Sequence, residues 1–364
     1  MSGEGGWVPP PYPYDRLDDL RPQAEAHDGG AVDLSIGTPC DPPPPAVVAA
    51  LSTSGAERGY PPSIGSQRFR RAAVDWMGRR FGVDVPLAAT AACVGTKELV
   101  VGLPAVLRLR TPSKDTVLYP AISYPSYEMG AVLAGCRAVA YADLAAVDPG
   151  DADRALCLWV NSPGNPAGQL DDLPAAAAWG RAHGVPVLSD ECYAEFTWDG
   201  LPHTILEGGL DGVLAVHSLS KRSNLAGVRA GFYAGDPALV QYLMEVRKHA
   251  GLMPPGPVQA AAATALEDDV HVDEQRERYL QRLQFLAGVL TDAGIPTTIP
   301  RGGFYLWPEA PDGDAWALTG LLAAKGGALV SPGEFYGQSG AGHVRIAVVQ
   351  PLERLELVAR RLSS

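Results

Sequence analysis

The sequence predicts an α/β protein with a mostly parallel sheet in a large domain and a second, smaller α/β domain. Short apolar runs alternate with helical stretches between residues 90 and 234, which is the pattern of parallel strands joined by crossover helices. After Pro237 the chain is mainly helical, and short strands return only after residue 296. A chain of 364 residues is long enough for two such domains.

The bulk composition is that of a globular protein, and it narrows the range of partners. Hydrophobic residues make up 46% of the chain and charged residues 19%, which leaves ample material for a core. The net charge of -12 disfavours nucleic acid, because a surface that binds nucleic acid is expected to be basic. No stretch approaches the ~18 consecutive apolar residues of a membrane span. We therefore expect neither a nucleic-acid nor a membrane partner.

The cysteines and the N-terminus indicate the compartment. The five cysteines are scattered and never form a C-x-x-C pair, which disfavours a disulfide framework and a zinc site. Residues 1–20 contain no basic segment followed by an apolar core, so we expect no signal peptide. Together these features predict a cytoplasmic protein without a bound metal.

The first third of the chain predicts an arm, one strand and two helices. Residues 1–30 are rich in proline and aromatic residues and are expected to lie across a surface. A short strand is predicted at residues 32–36, and helices at residues 46–52 and 66–81. We expect residues 1–45 to form the arm and part of the small domain, residues 46–255 the large domain, and residues 256–364 the rest of the small domain.

The rest of the chain is predicted to alternate between helices and strands. Helices of the large domain are predicted at residues 96–110, 126–135 and 173–183, and later helices at 238–249, 257–267 and 275–293. Strands are predicted at residues 91–94, 116–119, 137–141, 155–160, 185–188, 213–216 and 229–234, and in the tail at 296–307, 327–330 and 343–348.

The segment HSLSKRSNLAGVRAG at residues 217–231 carries the strongest chemical signal. A loop after the apolar run holds Ser218, Ser220 and Lys221, and Arg229 follows beside two glycines. Lysine is scarce in this chain, so a lysine kept here indicates a need for an amine that can lose its proton, which guanidinium cannot supply. The hydroxyls and the arginine suit a phosphate. The alternative is an ordinary solvated loop with a surface lysine.

Other predicted strands also end in polar or aromatic groups. Gly95 and Thr96 open a helix, where free N–H groups favour a phosphate, although taken alone this pair fits a plain N-cap at Thr96 better. Tyr124 could stack on a flat heteroaromatic ring, or it could be a turn or core tyrosine. Ligands in parallel sheets collect at the carboxyl ends of the strands.

Two further strands end in groups that could hold a ring from its edges. Asn165, in the string NSPGNPAG, can donate a hydrogen bond to a phenolate oxygen, or it can belong to a proline-rich turn. Asp190 emerges from an apolar strand, where a carboxylate needs a buried cation such as a protonated ring nitrogen. Tyr193 follows three residues later and can reach the same ring. A stacked ring with these partners, a lysine and a phosphate site defines pyridoxal 5'-phosphate.

The chain resembles the fold-type I, class I/II pyridoxal-phosphate aminotransferases over residues 32–362. The resemblance is carried by SLSKRSNLAGVRAG, which matches the family pattern S-K-x(5)-G-x-R-x-G, and by NSPGNPAG, SDECY and HVRIAVVQP. It implies a seven-stranded large-domain sheet and a homodimer with shared active sites, in which Tyr60 reaches the phosphate bound to the neighbouring subunit.

The same resemblance assigns roles to single residues. It implies that Lys221 is the Schiff-base lysine and that Asp190 faces the pyridine nitrogen. Asn165 and Tyr193 are similar to the donors to the ring oxygen, and Tyr124 to the stacking aromatic. Ser218, Ser220 and Arg229 are similar to the phosphate ligands of the family, and we expect Gly95, Thr96 and Lys97 to bind the cofactor as well.

Arg345 occupies the position that resembles the family's anchor for the substrate α-carboxylate. Its planar fork can grip a carboxylate through two parallel hydrogen bonds, which lysine cannot do. The backbone at Gly37 is expected to close over the same carboxylate, beside Asn165. The alternative for Arg345 is a surface salt bridge.

Within the family, GTKEL, ECY and VRKHAGLMPPGPVQAA resemble the actinobacterial N-succinyldiaminopimelate aminotransferases. This likeness implies a ping-pong reaction with 2-oxoglutarate. Candidates for reading the distal end of the substrate are residues 247–249 and Lys97, although residues 247–249 also fit a plain basic helix end. The rival interpretations are an aspartate, LL-diaminopimelate or methionine aminotransferase, a C–S lyase, and a catalytically idle protein that senses pyridoxal phosphate.

Overall fold

The computed structural model describes residues 7–363. Its strands follow the predicted order, and most predicted boundaries agree within two residues. In chain order they are β1 (Val32–Asp33), β2 (Thr90–Cys93), β3 (Thr116–Pro120), β4 (Arg137–Tyr141), β5 (Ala155–Asn161), β6 (Val187–Asp190), β7 (Val213–Ser218), β8 (Gly231–Gly235), β9 (Tyr305–Leu306), β10 (Ala328–Leu329), β11 (Ser331–Pro332) and β12 (Val344–Ala347).

The helices surround these strands, and all the predicted ones are present. They are α1 (Arg21–Glu25), α2 (Pro45–Thr53), α3 (Gln67–Phe81), α4 (Thr96–Arg110), α5 (Ser126–Leu133), α6 (Pro149–Arg154), α7 (Leu173–His183), α8 (Leu219–Arg222), α9 (Pro237–His249), α10 (Gly256–Leu266), α11 (Val270–Asp292), α12 (Ala315–Gly326) and α13 (Leu352–Leu362).

The large sheet has seven strands in the order β2-β8-β7-β6-β5-β3-β4, and the predicted fold class is confirmed. Every neighbouring pair is parallel except the two pairs that contain β8, which runs antiparallel to β2 and to β7. The beginning of β8 therefore lies beside the end of β7, with Gly231 opposite Ser218. Arg229, just before β8, is thus brought to the edge where the parallel strands end.

Both faces of the large sheet are buried except at the edge strand β4, which explains why its inner strands are mainly apolar. Leu158 and Val160 of β5 point to the core that contains Phe69 of α3, whereas Trp159 points to the opposite core with Leu103 of α4. Alternation follows from the two-residue period of a strand. Each fully buried large apolar side chain of this kind contributes about 1.5–3 kcal/mol relative to an exposed one.

The small domain combines the two ends of the chain. β1 pairs in parallel with β10, and β12 lies between β11 and β9 in an antiparallel sheet. Tyr279 and Leu283 of α11 pack with Phe304 and Ile346 in its core. The arm is fixed by Leu17, which is buried against Phe335 and Tyr336. The boundaries at residues 45 and 255 stay predictions.

Several predicted elements differ from the structure for local reasons. The strand predicted at residues 296–307 is reduced to β9, because the N–H groups of Gly302 and Gly303 bond to the carbonyls of Gly168 and Phe196 instead of a neighbouring strand. β6 begins after Pro186, which has no N–H to donate. The short helices α6 and α8 are additions. Within residues 7–363 no helix has both the length and the apolar character needed to cross a bilayer.

Candidate active site

A cavity of about 320 Å³ opens at the edge where the parallel strands of the large sheet end. Residues of the arm and of the small domain form its other walls. It collects most of the site residues predicted from the sequence: Gly37, Thr96, Lys97, Tyr124, Asn165, Asp190, Tyr193, Ser218, Ser220, Lys221, Arg229 and Arg345. These twelve predicted residues come from seven separate stretches of the chain and line one cavity.

Lys221 lies in the single turn of α8, directly after β7. The hydroxyl of Ser218 caps this turn by accepting a hydrogen bond from Ser220 N at 3.1 Å. The Lys221 amine donates to the carbonyl of Gly37. Burial lowers the pKa of Lys221 to about 8, and the positive charges of Arg345 and Arg229 add to the shift. At pH 7 roughly one molecule in ten therefore carries the neutral amine that a nucleophile or base requires, far more than for an ordinary lysine.

Asp190 ends β6 and is only 8% exposed. One carboxylate oxygen accepts from Tyr127 OH at 2.9 Å, and the other accepts from Cys192 N at 3.2 Å. Burial raises the pKa of Asp190, and these hydrogen bonds oppose the shift. No lysine, arginine or histidine of residues 7–363 lies within ion-pair distance of this carboxylate. A buried acid of this kind is suited to a cationic partner that enters the cavity.

The wall next to Lys221 is suited to an anion. Arg229 has a left-handed backbone (φ 62°) and is held by a hydrogen bond from Nη1 to Ala226 O at 2.8 Å. A Cβ at Gly95 would collide with its guanidinium, so glycine is needed there for close approach. Thr96 begins α4 beside it, where unpaired backbone N–H groups face outwards from the helix. Within the described chain Arg229 has no carboxylate partner.

Arg345 lies in β12 at the opposite wall and is 2% exposed. Its Nη1 donates to Asn165 Oδ1 at 2.9 Å, and its Nη2 donates to Tyr14 OH at 3.2 Å and to Ser35 O. The guanidinium carbon lies 4.3 Å from the centre of the Tyr305 ring. The alternative of a surface salt bridge is wrong, because Arg345 is buried and forms no ion pair within residues 7–363.

Asn165 and Tyr193 connect the two walls. Asn165 N donates to Asn161 Oδ1 at 2.8 Å, which fixes the turn that presents its side chain. The Tyr193 hydroxyl hydrogen-bonds to the Tyr305 hydroxyl at 2.8 Å. Burial raises the pKa of Tyr193 well above its ordinary value, so the hydroxyl keeps its proton and can donate it in a hydrogen bond.

Several lining residues were not predicted from the sequence. Tyr127 contacts Asp190, and its spacing of three residues from Tyr124 at a helix start was an available signal. Tyr12 and Tyr14 of the arm also line the cavity. The hydroxyls of Tyr14 and Tyr336 lie 2.8 Å apart, so the arm is held next to Arg345. Nothing in the sequence signals this contact, since more than 300 residues separate the partners.

Other candidates are not brought to the cavity. Tyr60 is 98% exposed and does not line it. Arg247 is buried and pairs with Glu98, with Nη2 and Oε1 2.5 Å apart, and it does not line this cavity, so its role at the distal end of the substrate stays a prediction. Lys248 and His249 are exposed at the end of α9 and do not line this cavity either. Of the candidates for the distal end of the substrate, Lys97 does line the cavity, with its Nζ 5.5 Å from the centre of the Tyr12 ring and 5.7 Å from that of Tyr124.

The residues fit pyridoxal phosphate. The buried carboxylate of Asp190 has no cation within the described chain, the guanidinium of Arg229 has no anion, and the Lys221 amine lies in the same cavity. A molecule that is cationic at one end, anionic at the other and carries an aldehyde complements these three groups. The fold and the cavity thus define an enzyme of the pyridoxal-phosphate-dependent transferase class.

The chain belongs to the aminotransferase class I and II family, whose profile matches residues 30–362. It is 43% identical over 363 residues to a probable aminotransferase of Mycobacterium tuberculosis, covering 97% of this chain and 85% of that one. It is also 43% identical over 368 residues to the 4-dedimethylamino-4-oxo-anhydrotetracycline transaminase OxyQ of Streptomyces rimosus, covering 97% and 99%. The protein is therefore a transaminase that uses pyridoxal phosphate.

A solved structure shows the same architecture. A probable N-succinyldiaminopimelate aminotransferase from Thermus thermophilus superposes with a TM-score of 0.86 at 30% identity, covering 96% of this chain and 98% of that one. The named relatives differ in substrate, so substrate choice has to be argued from the cavity.

Proposed function

We propose that the protein is an N-succinyl-LL-2,6-diaminopimelate:2-oxoglutarate aminotransferase. The observation that carries this proposal is the pair of cations in one cavity with Lys221: Arg345 and Lys97 both lack an ion-pair partner within residues 7–363. A substrate with an α-carboxylate at one end and a second carboxylate on a long arm would satisfy both. The likeness to the Thermus thermophilus protein supports the same substrate class.

The chemistry divides between the cofactor and the chain. When bound, pyridoxal phosphate supplies an aldehyde for the substrate amine and an electron sink for the charge that develops at Cα. Asp190 would hold a proton at the ring nitrogen that faces it. Arg229, Ser218, Ser220 and the start of α4 would bind the phosphate, and Tyr124 would cover one face of the ring.

The residues around the substrate would position and move its protons. Arg345 binds the α-carboxylate and, because its Nη1 is also fixed on Asn165, sets the direction of the Cα–H bond. Lys221 takes the proton from Cα of the amino donor, and in the second half-reaction it gives a proton to Cα of the acceptor. The Gly37 carbonyl, which accepts from the Lys221 amine, keeps this amine at the same wall. Tyr12 and Tyr14 of the arm line the same cavity and limit the entry of water to it.

We also propose a homodimer in which Tyr60 completes the neighbouring site. Tyr60 is 98% exposed, and Val48, on helix α2 earlier in the chain, is exposed as well. A mixing experiment tests this: two inactive variants, Lys221→Ala and Tyr60→Ala, are combined under exchange. If the sites are shared, hybrid dimers contain one site with both intact residues and activity returns. Activity that never exceeds the sum of the separate variants would contradict shared sites.

The substrate proposal is tested by comparing amino donors with 2-oxoglutarate as acceptor. We expect N-succinyl-LL-diaminopimelate to give the highest kcat/KM, above free LL-diaminopimelate, glutamate, aspartate and methionine. Equal or better turnover of any of these donors would reject the succinyl assignment while leaving the transaminase assignment intact. Elimination of the side chain from a cysteine conjugate would indicate a C–S lyase.

A second candidate substrate is a fused-ring aromatic ketone. Tyr12, Tyr14 and Tyr124 give the mouth of the cavity an aromatic wall, and OxyQ is named for such a substrate. A panel that includes an aromatic polycyclic ketone as amino acceptor separates the two candidates. Saturable amination of that ketone, together with no preference for the succinylated donor, would favour the second.

A further inference from the structure

Glu191 and His217 form a buried pair directly behind the active site. Glu191 follows Asp190 at the end of β6, and His217 precedes Ser218 in β7. Asp190 and Ser218 line the cavity, whereas Glu191 and His217 do not. The exposed fractions of the Glu191 and His217 side chains are 0% and 3%. Neither side chain has a role in the mechanism proposed above.

The contacts of the pair indicate that a proton lies between Glu191 Oε2 and His217 Nε2. Glu191 Oε1 accepts from Ile205 N at 2.8 Å. Its other oxygen, Oε2, lies 3.4 Å from His217 Nε2. Neither Oε2 nor Nε2 has another hydrogen-bond partner within residues 7–363, and His217 Nδ1 has none either. Leaving such atoms unpaired in a buried site is costly, so a shared proton between Oε2 and Nε2 is the arrangement that satisfies both.

The surroundings favour the uncharged form of both groups. The His217 ring lies 5.0 Å from the Trp76 ring, 5.1 Å from Phe232 and 5.7 Å from Phe81, so little polar material surrounds it. Burial raises the pKa of Glu191 to about 7 and lowers that of His217 to about 3. The carboxyl is therefore protonated and the imidazole neutral over most of the range between these values.

Other charged and polar groups also face the pair. The charge of Asp190 raises the pKa of Glu191, and that of Arg222 lowers the pKa of His217. The nearby hydroxyls of Thr204 and Ser189 partly oppose the rise in the pKa of Glu191, although neither forms a hydrogen bond with Oε2, and the backbone of Glu191 partly opposes the fall in the pKa of His217. Arg222 is itself engaged by Glu195, with Nε and Oε1 3.4 Å apart. The charge of Arg222 is thus partly balanced by a carboxylate outside the pair.

We propose that Glu191 and His217 are a positioning pair for Asp190. They share the carboxyl proton of Glu191 in one hydrogen bond and both stay uncharged, so that no second negative charge lies beside that of Asp190. A second anion at this point would oppose the negative charge that the reaction places on the cavity side of Asp190. The inference rests on the role proposed above for Asp190.

The test compares the holoenzyme with Glu191→Gln across pH. Glutamine reproduces the protonated acid in shape and can donate to His217 but cannot ionise. We expect its kcat/KM to match wild type within about twofold at pH 6. Above pH 7 wild type should decline relative to the variant, because only wild type gains the second anion. Glu207→Gln, which changes an exposed carboxyl nearby, should follow wild type at every pH.

Unfolding temperature gives a readout independent of turnover. The native protein keeps the Glu191 proton at pH values where the unfolded chain has lost it, so wild-type stability falls as pH rises from about 4.5 to about 7. The unfolding temperature of Glu191→Gln minus that of wild type should therefore increase from pH 5 to pH 8. If the wild-type enzyme proved not to be a transaminase, this measurement would still decide whether the pair holds a proton.

A second variant keeps the test decisive if Glu191→Gln folds poorly. His217→Phe fills the same aromatic surroundings without a proton acceptor. Because a hydrogen bond to the neutral acid raises its pKa, its loss should move the wild-type decline in kcat/KM to lower pH, and adding Glu191→Gln should remove that shift. A tenfold or greater loss in Glu191→Gln at pH 6, or pH profiles and unfolding differences that stay parallel from pH 5 to pH 9, would overturn the proposal.

Discussion

The cofactor end and the substrate end of the cavity are built in different ways. Lys221, Asp190 and Arg229 come from strand ends of one sheet, and their strands are neighbours in hydrogen-bonded register. Arg345 and Tyr14, in contrast, meet across 331 residues and belong to the small domain and the arm. The first group is fixed by a rigid buried sheet, and the second by the packing of separate segments.

This difference suggests how one family can keep its cofactor chemistry and change its substrates. Displacing a residue of β6 or β7 would disturb strand pairs that are buried on both faces. The arm is instead held by side-chain contacts: Leu17 in its small cluster, the hydrogen bonds of Tyr14 to Tyr336 and Arg345, and the exposed pair Arg16–Glu334. Changes in the arm can therefore alter the mouth of the cavity at lower cost to the fold. The predictions below test this division.

The largest effect is expected at the cofactor end from Lys221→Ala. Loss of the amine removes both the covalent attachment of the cofactor and the base, so turnover should fall by roughly 10³-fold or more. Visible absorbance of the purified protein and a donor assay measure the two functions. The matched control is Lys114→Ala, whose amine bonds to the Asp153 carbonyl far from the cavity. A Lys221 variant that retained absorbance and turnover would remove the assignment.

At the substrate end, Arg345→Ala should reduce kcat/KM by about 2–5 kcal/mol of transition-state binding, since a buried charged anchor is lost. Cofactor absorbance should be unchanged, because Arg345 lies on the other wall. Tyr14→Phe removes only the hydroxyl that accepts from Nη2 and should cost about 0.5–1.5 kcal/mol. Equal losses in the two variants would show that the arm contributes as much as the anchor.

The titration of Lys221 gives a prediction for the cofactor-free protein. Its pKa of about 8 means that the neutral, reactive amine increases as pH rises towards that value. The rate of recombination with pyridoxal phosphate should therefore rise about tenfold per pH unit below pH 8 and level off above it. Stopped-flow absorbance measures this rate. A rate still rising at the same slope from pH 8 to pH 10 would show that the amine has an ordinary pKa.

The smallest effect is expected from Lys97→Ala. Lys97 is largely exposed, so its attraction to a distal carboxylate is screened by water and should amount to about 0.2–1 kcal/mol. KM for a donor with a distal carboxylate should rise a few-fold, and KM for methionine should stay constant. Lys325→Ala, in the exposed last turn of α12, is the matched control. An equal change for both donors would assign Lys97 to the phosphate instead.

The residues predicted for the cofactor end come together in one cavity, and they could be found from the sequence because their signals are local. An apolar strand followed by a polar residue reports a sheet edge within a few positions, as at Asp190 and Lys221. The substrate end was predicted only in part. Arg345 was identified, but Tyr12, Tyr14 and Tyr305 were not, because an aromatic residue in a proline-rich arm or a short strand has no local feature that shows what it faces. The pairing of Arg247 with Glu98 was not predicted either, since it spans 149 residues.

By itself the sequence determined the α/β class and the order of the strands along the chain. It also determined the set of groups that a phosphate, a ring nitrogen and an aldehyde require. These follow from periodicity and from neighbours along the chain. Only the tertiary structure decided that β8 runs against its neighbours and so brings Arg229 to Lys221, and that the arm places Tyr14 on Arg345. The reason is that strand direction and the docking of an arm depend on contacts between distant residues, which periodicity along a chain does not record.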